Sequence, residues 1–209
     1  MAHVVLLGDS IFDNATYVPN GPAVIEQLSA ILPQDWSASL LAVDGDVTAG
    51  VENQLGNVPA DATHLVVSSG GNDALGYLPL LSERARSIAE VLDRFADIRT
   101  TFREIYRDML ERVLATNLDV TVCTIYDCVP GLEPSAHSAL SMFNEVILRE
   151  AVSARVAVID LRLVCSEESD YSEVSPIEPS QNGGAKIAEV IRKRLVGSVS
   201  PSEATLVLT

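Results

Sequence analysis

Basic residues are scarce in this chain. It carries 14 Lys and Arg against 29 Asp and Glu over 209 residues, a formal net charge of −15. Nucleic-acid binding draws its affinity from Lys and Arg that neutralise phosphates, so charge argues against that class, and no basic run or basic helix face restores it. Anionic membrane surfaces are disfavoured for the same reason. Long apolar runs are missing too: nowhere do about 18 apolar residues follow one another, so no membrane span is expected. The three cysteines, Cys123, Cys128 and Cys165, show neither CxxC nor a zinc-like Cys/His spacing. Cys123 reads instead as a small core residue. No cationic segment precedes the first short apolar run, which reads as a soluble, cytoplasmic protein without a signal peptide. Histidines number only three, His3, His64 and His137, which leaves few candidates for a general base at neutral pH.

What is present is material for a core. Hydrophobic residues make up 47% of the chain, too many for a disordered acidic tail, and the length suits one domain. Short β-branched or leucine-rich runs alternate with helical patterns. Strands are expected at residues 4–7, 39–43, 65–68, 120–125 and 156–161. Helices are expected over 23–32, about 48–55, about 83–115, 140–152 and about 184–195. Within the long one, Ile88, Leu92 and Phe95, then Phe102, Ile105, Met109 and Val113, recur at helical spacing. This alternation implies a three-layer α/β/α fold with a five-stranded parallel sheet of flavodoxin-like order. One domain is expected over 1–197 and a tail over 198–209. The tail's apolar stub reads as a frayed end, an added edge strand or a dimer contact, and oligomeric state has no readable code.

In such sheets functional groups collect at the carboxyl ends of the strands. After the first expected strand stands Gly8-Asp9-Ser10-Ile11, after the second Asp44-Gly45-Asp46, and after the third Ser69-Gly70-Gly71-Asn72-Asp73. Singly these are ordinary turn and cap residues. Jointly they bring a hydroxyl, a glycine amide and a side-chain amide to one edge, the parts of a serine nucleophile with an oxyanion hole. The three segments and their spacing resemble the first three blocks of the SGNH (GDSL) hydrolases, across nearly the whole chain. The resemblance implies Ser10 as the nucleophile attacking an ester carbonyl. It also implies the Ser10 amide, the Gly45 amide and the Asn72 side chain as oxyanion donors. Asp9 and Asp73 would orient these loops rather than react. Leu75, Tyr77, Leu78 and Leu80 follow the third block and would line an acyl pocket or pack against the long helix.

The family's fourth block, Asp-x-x-His-Pro, aligns with Ser175-Pro176-Ile177-Glu178-Pro179, so Ser175 stands for the Asp and Glu178 for the His. A free Glu titrates near 4.3, about two units below His, so Glu178 is a weaker base unless burial or neighbouring acids raise it. A Ser10–Glu178 pair with an acid-shifted optimum is then expected; the unrelated serine-carboxyl peptidases also pair Ser with Glu. Ser175 would hydrogen-bond Glu178 or cap the turn. His3 and His64 precede strands and read as surface residues at the wrong end of the sheet. His137 stands at the correct edge, as a substitute base or as a helix-start residue. The expected function is ester hydrolysis on a small-molecule, lipid or carbohydrate substrate. The alternative is a catalytically impaired relative that binds an acyl or glycosyl ligand. A phosphoacceptor built on Asp9 lacks the lysine it needs after the fifth strand. Neither GxGxxG nor GxxxxGK[ST] is present, and no cofactor or metal is implied.

Overall fold

The structure, a computed structural model, describes residues 1–197; the expectations for the tail lie outside the described residues. Five parallel strands, β1 (Ala2–Gly8), β2 (Trp36–Leu40), β3 (His64–Ser68), β4 (Asp119–Cys123) and β5 (Ala157–Ile159), form one sheet in the order β2-β1-β3-β4-β5. This is the doubly wound order expected. The helices are α1 (Val24–Ile31), α2 (Val51–Leu55), α3 (Gly71–Gly76), α4 (Ile88–Leu114), α5 (Pro134–Ala154), α6 (Leu161–Val164) and α7 (Gln181–Val196). Among the described residues no helix is long and apolar enough to cross a membrane.

The period-two geometry of strands divides the core into two halves. Val5, Leu7, Leu65, Val67, Val120 and Val122 pack with Phe102, Tyr106 and Met109 of α4 and Phe143 and Ile147 of α5. Their neighbours Val4, Leu6, Val66 and Cys123 face Val24 and Leu28 of α1 and Ile187 and Ile191 of α7. Both faces of the sheet are thus covered, which parallel strands require. On the first face, α4 and α5 are tied by Glu150, whose nearly buried carboxylate accepts from Arg103 Nε at 2.5 Å and Arg107 Nε at 2.9 Å.

Several boundaries depart from the expected ones. The second strand lies at Trp36–Leu40 rather than 39–43. Its residues are only partly buried at the sheet edge, so the apolar signal was strongest just past it. There the chain still runs beside β1, with Leu41 and Ala42 donating to the Leu6 carbonyl at 2.9 and 3.0 Å. The long helix begins at Ile88, not 83, capped by the Ser87 hydroxyl accepting from Glu90 N–H, and α3 with a 3-10 turn at Leu78–Ser82 fills the gap before it. Ile88 and Leu92 share the helical spacing of the core residues but are 80% and 62% exposed. Helix α5 starts earlier, at Pro134, where proline is tolerated in a first turn. The fifth strand stops at Ile159 because Asp160 caps the short α6, accepting from Arg162 N–H. His3 is buried rather than on the surface, its Nε2 paired with Ser39 Oγ at 2.8 Å. His64 is partly buried against Trp36.

The crossing from β1 to the next turn is the tightest point of the sheet. Gly8 has φ +124°, and a Cβ there would stand 1.7 Å from the Ser68 carbonyl oxygen of β3. Only glycine fits both constraints. Gly8→Ala is expected to cost at least about 3 kcal/mol, or roughly 6–12 °C in Tm for a chain of this size. An unchanged melting curve would contradict this close approach.

Candidate active site

The segment after β1 turns at once. Asp9 N–H donates to Ser68 O at 3.1 Å, while Phe12 and Asp13 N–H return to Asp9 O at 3.1 and 3.2 Å. The turn holds Ser10 almost fully buried at the carboxyl edge. The Asp9 carboxylate accepts from Ile11 N–H at 3.1 Å and so stiffens the turn. After β3, Gly70 and Gly71 lead into α3, whose second residue is Asn72. Its amide nitrogen donates to Asp46 O at 2.8 Å, which uses one of its two hydrogens. Asp73 accepts from both Thr48 N–H (2.9 Å) and Thr48 Oγ1 (2.8 Å), binding α3 to the loop after β2. Gly45 lies in that loop with φ +81° and is exposed. Among the described residues neither the Ser10 nor the Gly45 N–H donates to another protein group.

Glu178 arrives from the opposite side, on a short hairpin between α6 and α7. Ser172 N–H donates to Glu178 O at 2.8 Å and Ser180 N–H to Asp170 O at 2.8 Å. Glu178 N–H closes a turn onto Ser175 O at 3.0 Å; Ser175 meets Glu178 through this backbone contact. The hairpin is pinned to the sheet edge by Tyr126, whose hydroxyl donates to Ile177 O at 2.6 Å. It is pinned to the nucleophile turn by Asn14, whose Nδ2 donates to Pro179 O at 3.2 Å. Glu178 is 4% exposed, its carboxyl faces the Ser10 hydroxyl, and among the described residues its buried Oε2 has no hydrogen-bond partner.

This placement sets the proton affinities. Burial raises Glu178 from 4.5 to about 7, partly opposed by the Ser10 hydroxyl, with Asp44 adding a smaller upward push. Burial also raises Asp9 to about 8, opposed by the Ile11 amide and reinforced by Glu178 and Asp73. Desolvation is therefore the main cause, and neighbouring acids come second. The value for Glu178 falls where an ordinary histidine titrates, above the range of a free glutamate.

A cavity of about 170 Å³ opens beside these groups. Asp9, Ser10, Asn72 and Glu178 line it, as do the expected Leu75, Tyr77 and Leu78. Leu80 packs into the core instead, and Leu81 takes its place in the wall. Gly45 and His137 are not in the wall. His137 is half-exposed in the first turn of α5, with Nε2 3.5 Å from Asp127 Oδ2, so the helix-start reading describes it. The far wall, Phe95 of α4 with Leu140 and Phe143 of α5, was not anticipated. Nor was Gln54, a buried amide that accepts from Gly8 N–H and donates to Gly8 O and to Asp46 Oδ2, each at 2.8 Å. Its signal was a polar residue three positions after Val51, on the buried face of α2.

The doubly wound sheet thus gathers Ser10, Asn72 and Glu178 around one cavity at its carboxyl edge. A family model described as GDSL-like Lipase/Acylhydrolase matches residues 6–185, and the chain belongs to this family. No curated protein matches the chain. Among solved structures it is similar to the lipase Lip_vut3 from a goat rumen metagenome, at 20% identity and TM-score 0.73, covering 96% of this chain and 100% of that one. It is also similar to the acetyl xylan esterase AlAXEase, at 14% identity and TM-score 0.68, covering 93% and 100%. A third is phospholipase A1 from Streptomyces albidoflavus NA297, at 18% identity and TM-score 0.67, covering 91% and 99%. At these identities the likeness concerns the fold.

The raised affinity of Glu178 has a consequence for stability. Between about pH 4.5 and 7 the unfolded chain loses the Glu178 proton before the folded chain does, so stability falls as pH rises through that window. Glu178→Gln is therefore expected to exceed the wild type in stability at about pH 8 by up to roughly 3 kcal/mol, the gap closing as the pH falls towards about 4. Urea melts across pH measure it; a gap that grows in acid would refute the burial argument.

Proposed function

We propose that this protein hydrolyses carboxylic esters with Ser10 as nucleophile and Glu178 as its general base, Glu178 standing where the family carries histidine. The observation that carries the reading is the Ser10 hydroxyl facing a buried carboxyl whose proton affinity is tuned to about 7. Ionised Glu178 takes the Ser10 proton as Oγ attacks the ester carbonyl carbon. The resulting oxyanion accepts from the unpaired Ser10 N–H and from the free hydrogen on Asn72 Nδ2, while Gly45, outside the cavity wall, would supply a third donor only if its loop moved inward. Each such donor typically contributes about 10²–10³ in rate. Glu178 then protonates the departing alcohol oxygen, leaving an acyl group on Ser10. In the second half a water gives its proton to Glu178 while its oxygen attacks the acyl carbonyl; Glu178 then returns that proton to Ser10 Oγ as the acyl–oxygen bond breaks and the acid departs. Asp73, Asn14 and Gln54 act as positioning residues, holding the oxyanion loop, the base hairpin and the nucleophile turn. Asp9 supports the turn through Ile11.

One observation favours the catalytically impaired alternative: among the described residues nothing donates to Glu178 Oε2 to steady the anion. The test separates the two. Ser10→Ala is expected to lower kcat/KM on neutral p-nitrophenyl esters at least about 10³-fold, and Glu178→Gln about 10²–10⁴-fold. The wild-type kcat/KM is expected to rise from acid with a midpoint near 7, set by Glu178. A wild type that binds ester analogues but turns over no faster than Ser10→Ala would establish the binding protein instead.

A further inference from the structure

Asp9, the residue before the nucleophile, is a buried acid in the cavity wall whose two oxygens face different surroundings. Oδ1 accepts from Ile11 N–H at 3.1 Å. Oδ2 stands 3.7 Å from the point that a Cβ on Gly71 would occupy, over the glycine that precedes Asn72. The carboxyl thus spans the nucleophile turn and the segment that carries the amide donor. With Oδ1 engaged as the acceptor, a proton on Asp9 belongs on Oδ2. The titratable groups that face Asp9 are Glu178 from the base hairpin, Asp73 from α3, and Cys123 and Tyr126 from β4 and the loop after it. None of these is a cation, and among the described lining residues none is Lys, Arg or His. Burial holds the Cys123 thiol and the Tyr126 phenol in their neutral forms. It is also the main reason that Asp9 keeps its proton up to about pH 8, and an ionised Glu178 reinforces it.

Two carboxyls whose proton affinities are pushed apart divide the acid and base roles between them. Here Glu178 gives up its proton first and Asp9 keeps its own. The oxyanion is short of donors: Gly45 stands outside the cavity wall, the Tyr126 hydroxyl is spent on Ile177 O at 2.6 Å, and the Tyr77 ring leans on Phe143 of α5. An apolar site can keep a carboxylic acid neutral so that it donates to an oxyanion. We propose that Asp9 is a further catalytic residue of the ester hydrolysis set out above, its neutral carboxyl donating from Oδ2 to the oxyanion beside the Ser10 N–H and Asn72 Nδ2. The assignment rests on that hydrolytic reading. Asp9 donates a hydrogen bond and keeps the proton throughout, so no bond to hydrogen breaks at this atom.

Two variants and a spectrum test it. On p-nitrophenyl butyrate the wild-type kcat/KM is expected to be bell-shaped, rising with Glu178 near pH 7 and falling as Asp9 ionises near 8. Asp9→Leu should lower kcat about 10²-fold with little change in KM, the loss of one oxyanion donor. Asp9→Asn keeps an acceptor for Ile11 N–H and puts an N–H in the place of Oδ2. It should recover at least about tenfold of that loss and lack the alkaline fall. An alkaline fall that persists in Asp9→Asn, or a folded Asp9→Leu that keeps its kcat, overturns the assignment. Should Asp9→Leu not fold, the alkaline limb of Asp9→Asn decides. Infrared difference spectra of Ser10→Ala against Ser10→Ala/Asp9→Asn need no turnover. They are expected to show a protonated carboxyl band at neutral pH that moves to lower frequency when hexanamide is added. A missing band, or one indifferent to hexanamide, overturns the donor. If the band responds while the wild type cleaves no ester, Asp9 stands as a donor to a bound carbonyl and the hydrolytic reading falls instead.

Discussion

The passage of Gly8 against the Ser68 carbonyl is the constraint on which the site rests. The end of β1 and the end of β3 approach so closely that no side chain fits between them. The two segments leaving those strands, one carrying Ser10 and the other Asn72, therefore start side by side. Gln54 fixes the same peptide from the far side by bonding both its N–H and its carbonyl, and adds Asp46 from the third loop. One buried amide thus joins three chain segments at the point where geometry matters most. The arrangement stores precision in the backbone, where a loss of a few tenths of an ångström has no soft side chain to absorb it.

Electrostatics at the edge follows from the same enclosure. A chain with a net charge of −15 could raise a carboxyl's proton affinity merely by crowding acids around it. For Glu178 and Asp9 burial comes first, and the neighbouring acids Asp44 and Asp73 add less. The distinction has consequences: Coulomb terms between exposed acids weaken with salt, whereas desolvation does not. A glutamate raised mainly by its enclosure depends less on salt than one raised by exposed neighbours would. The hairpin that carries it is accordingly tied down by Tyr126 and Asn14 rather than left to the solvent.

How much of this was legible depends on sequence distance. The sheet order and the placing of Ser10 and Asn72 at one edge could be read because each follows a strand end, whereas Glu178 was reached only through the resemblance of its segment to the family's fourth block. The edge strand β2 was misplaced because partial burial blurs the alternation that marks strands. Ile88 and Leu92 have core spacing yet lie exposed, since periodicity reports a face and not what covers it. The far cavity wall was invisible for a different reason. Phe95 and Phe143 come from separate helices, and only the packing of α4 on α5 brings them together. Glu150, held by two arginines, is part of that packing. It had no motif to announce it.

Ester hydrolysis converts a neutral group into an anionic acid at the place where it was cleaved. In the proposed site that carboxylate would form next to Asp9 and Glu178, with no basic residue among the described lining to hold it. A neutral substrate would enter without electrostatic cost, whereas Asp9, raised to about 8, and Glu178, raised to about 7, would repel an ionised product only where the pH is high enough to charge them. The apolar wall would otherwise retain a chain of several carbons after cleavage, since burial favours substrate and product chains alike. Above those values the two acids in the cavity wall would oppose that retention. In the proposed reading affinity would rest on the apolar wall, and release would quicken as rising pH ionises the two acids.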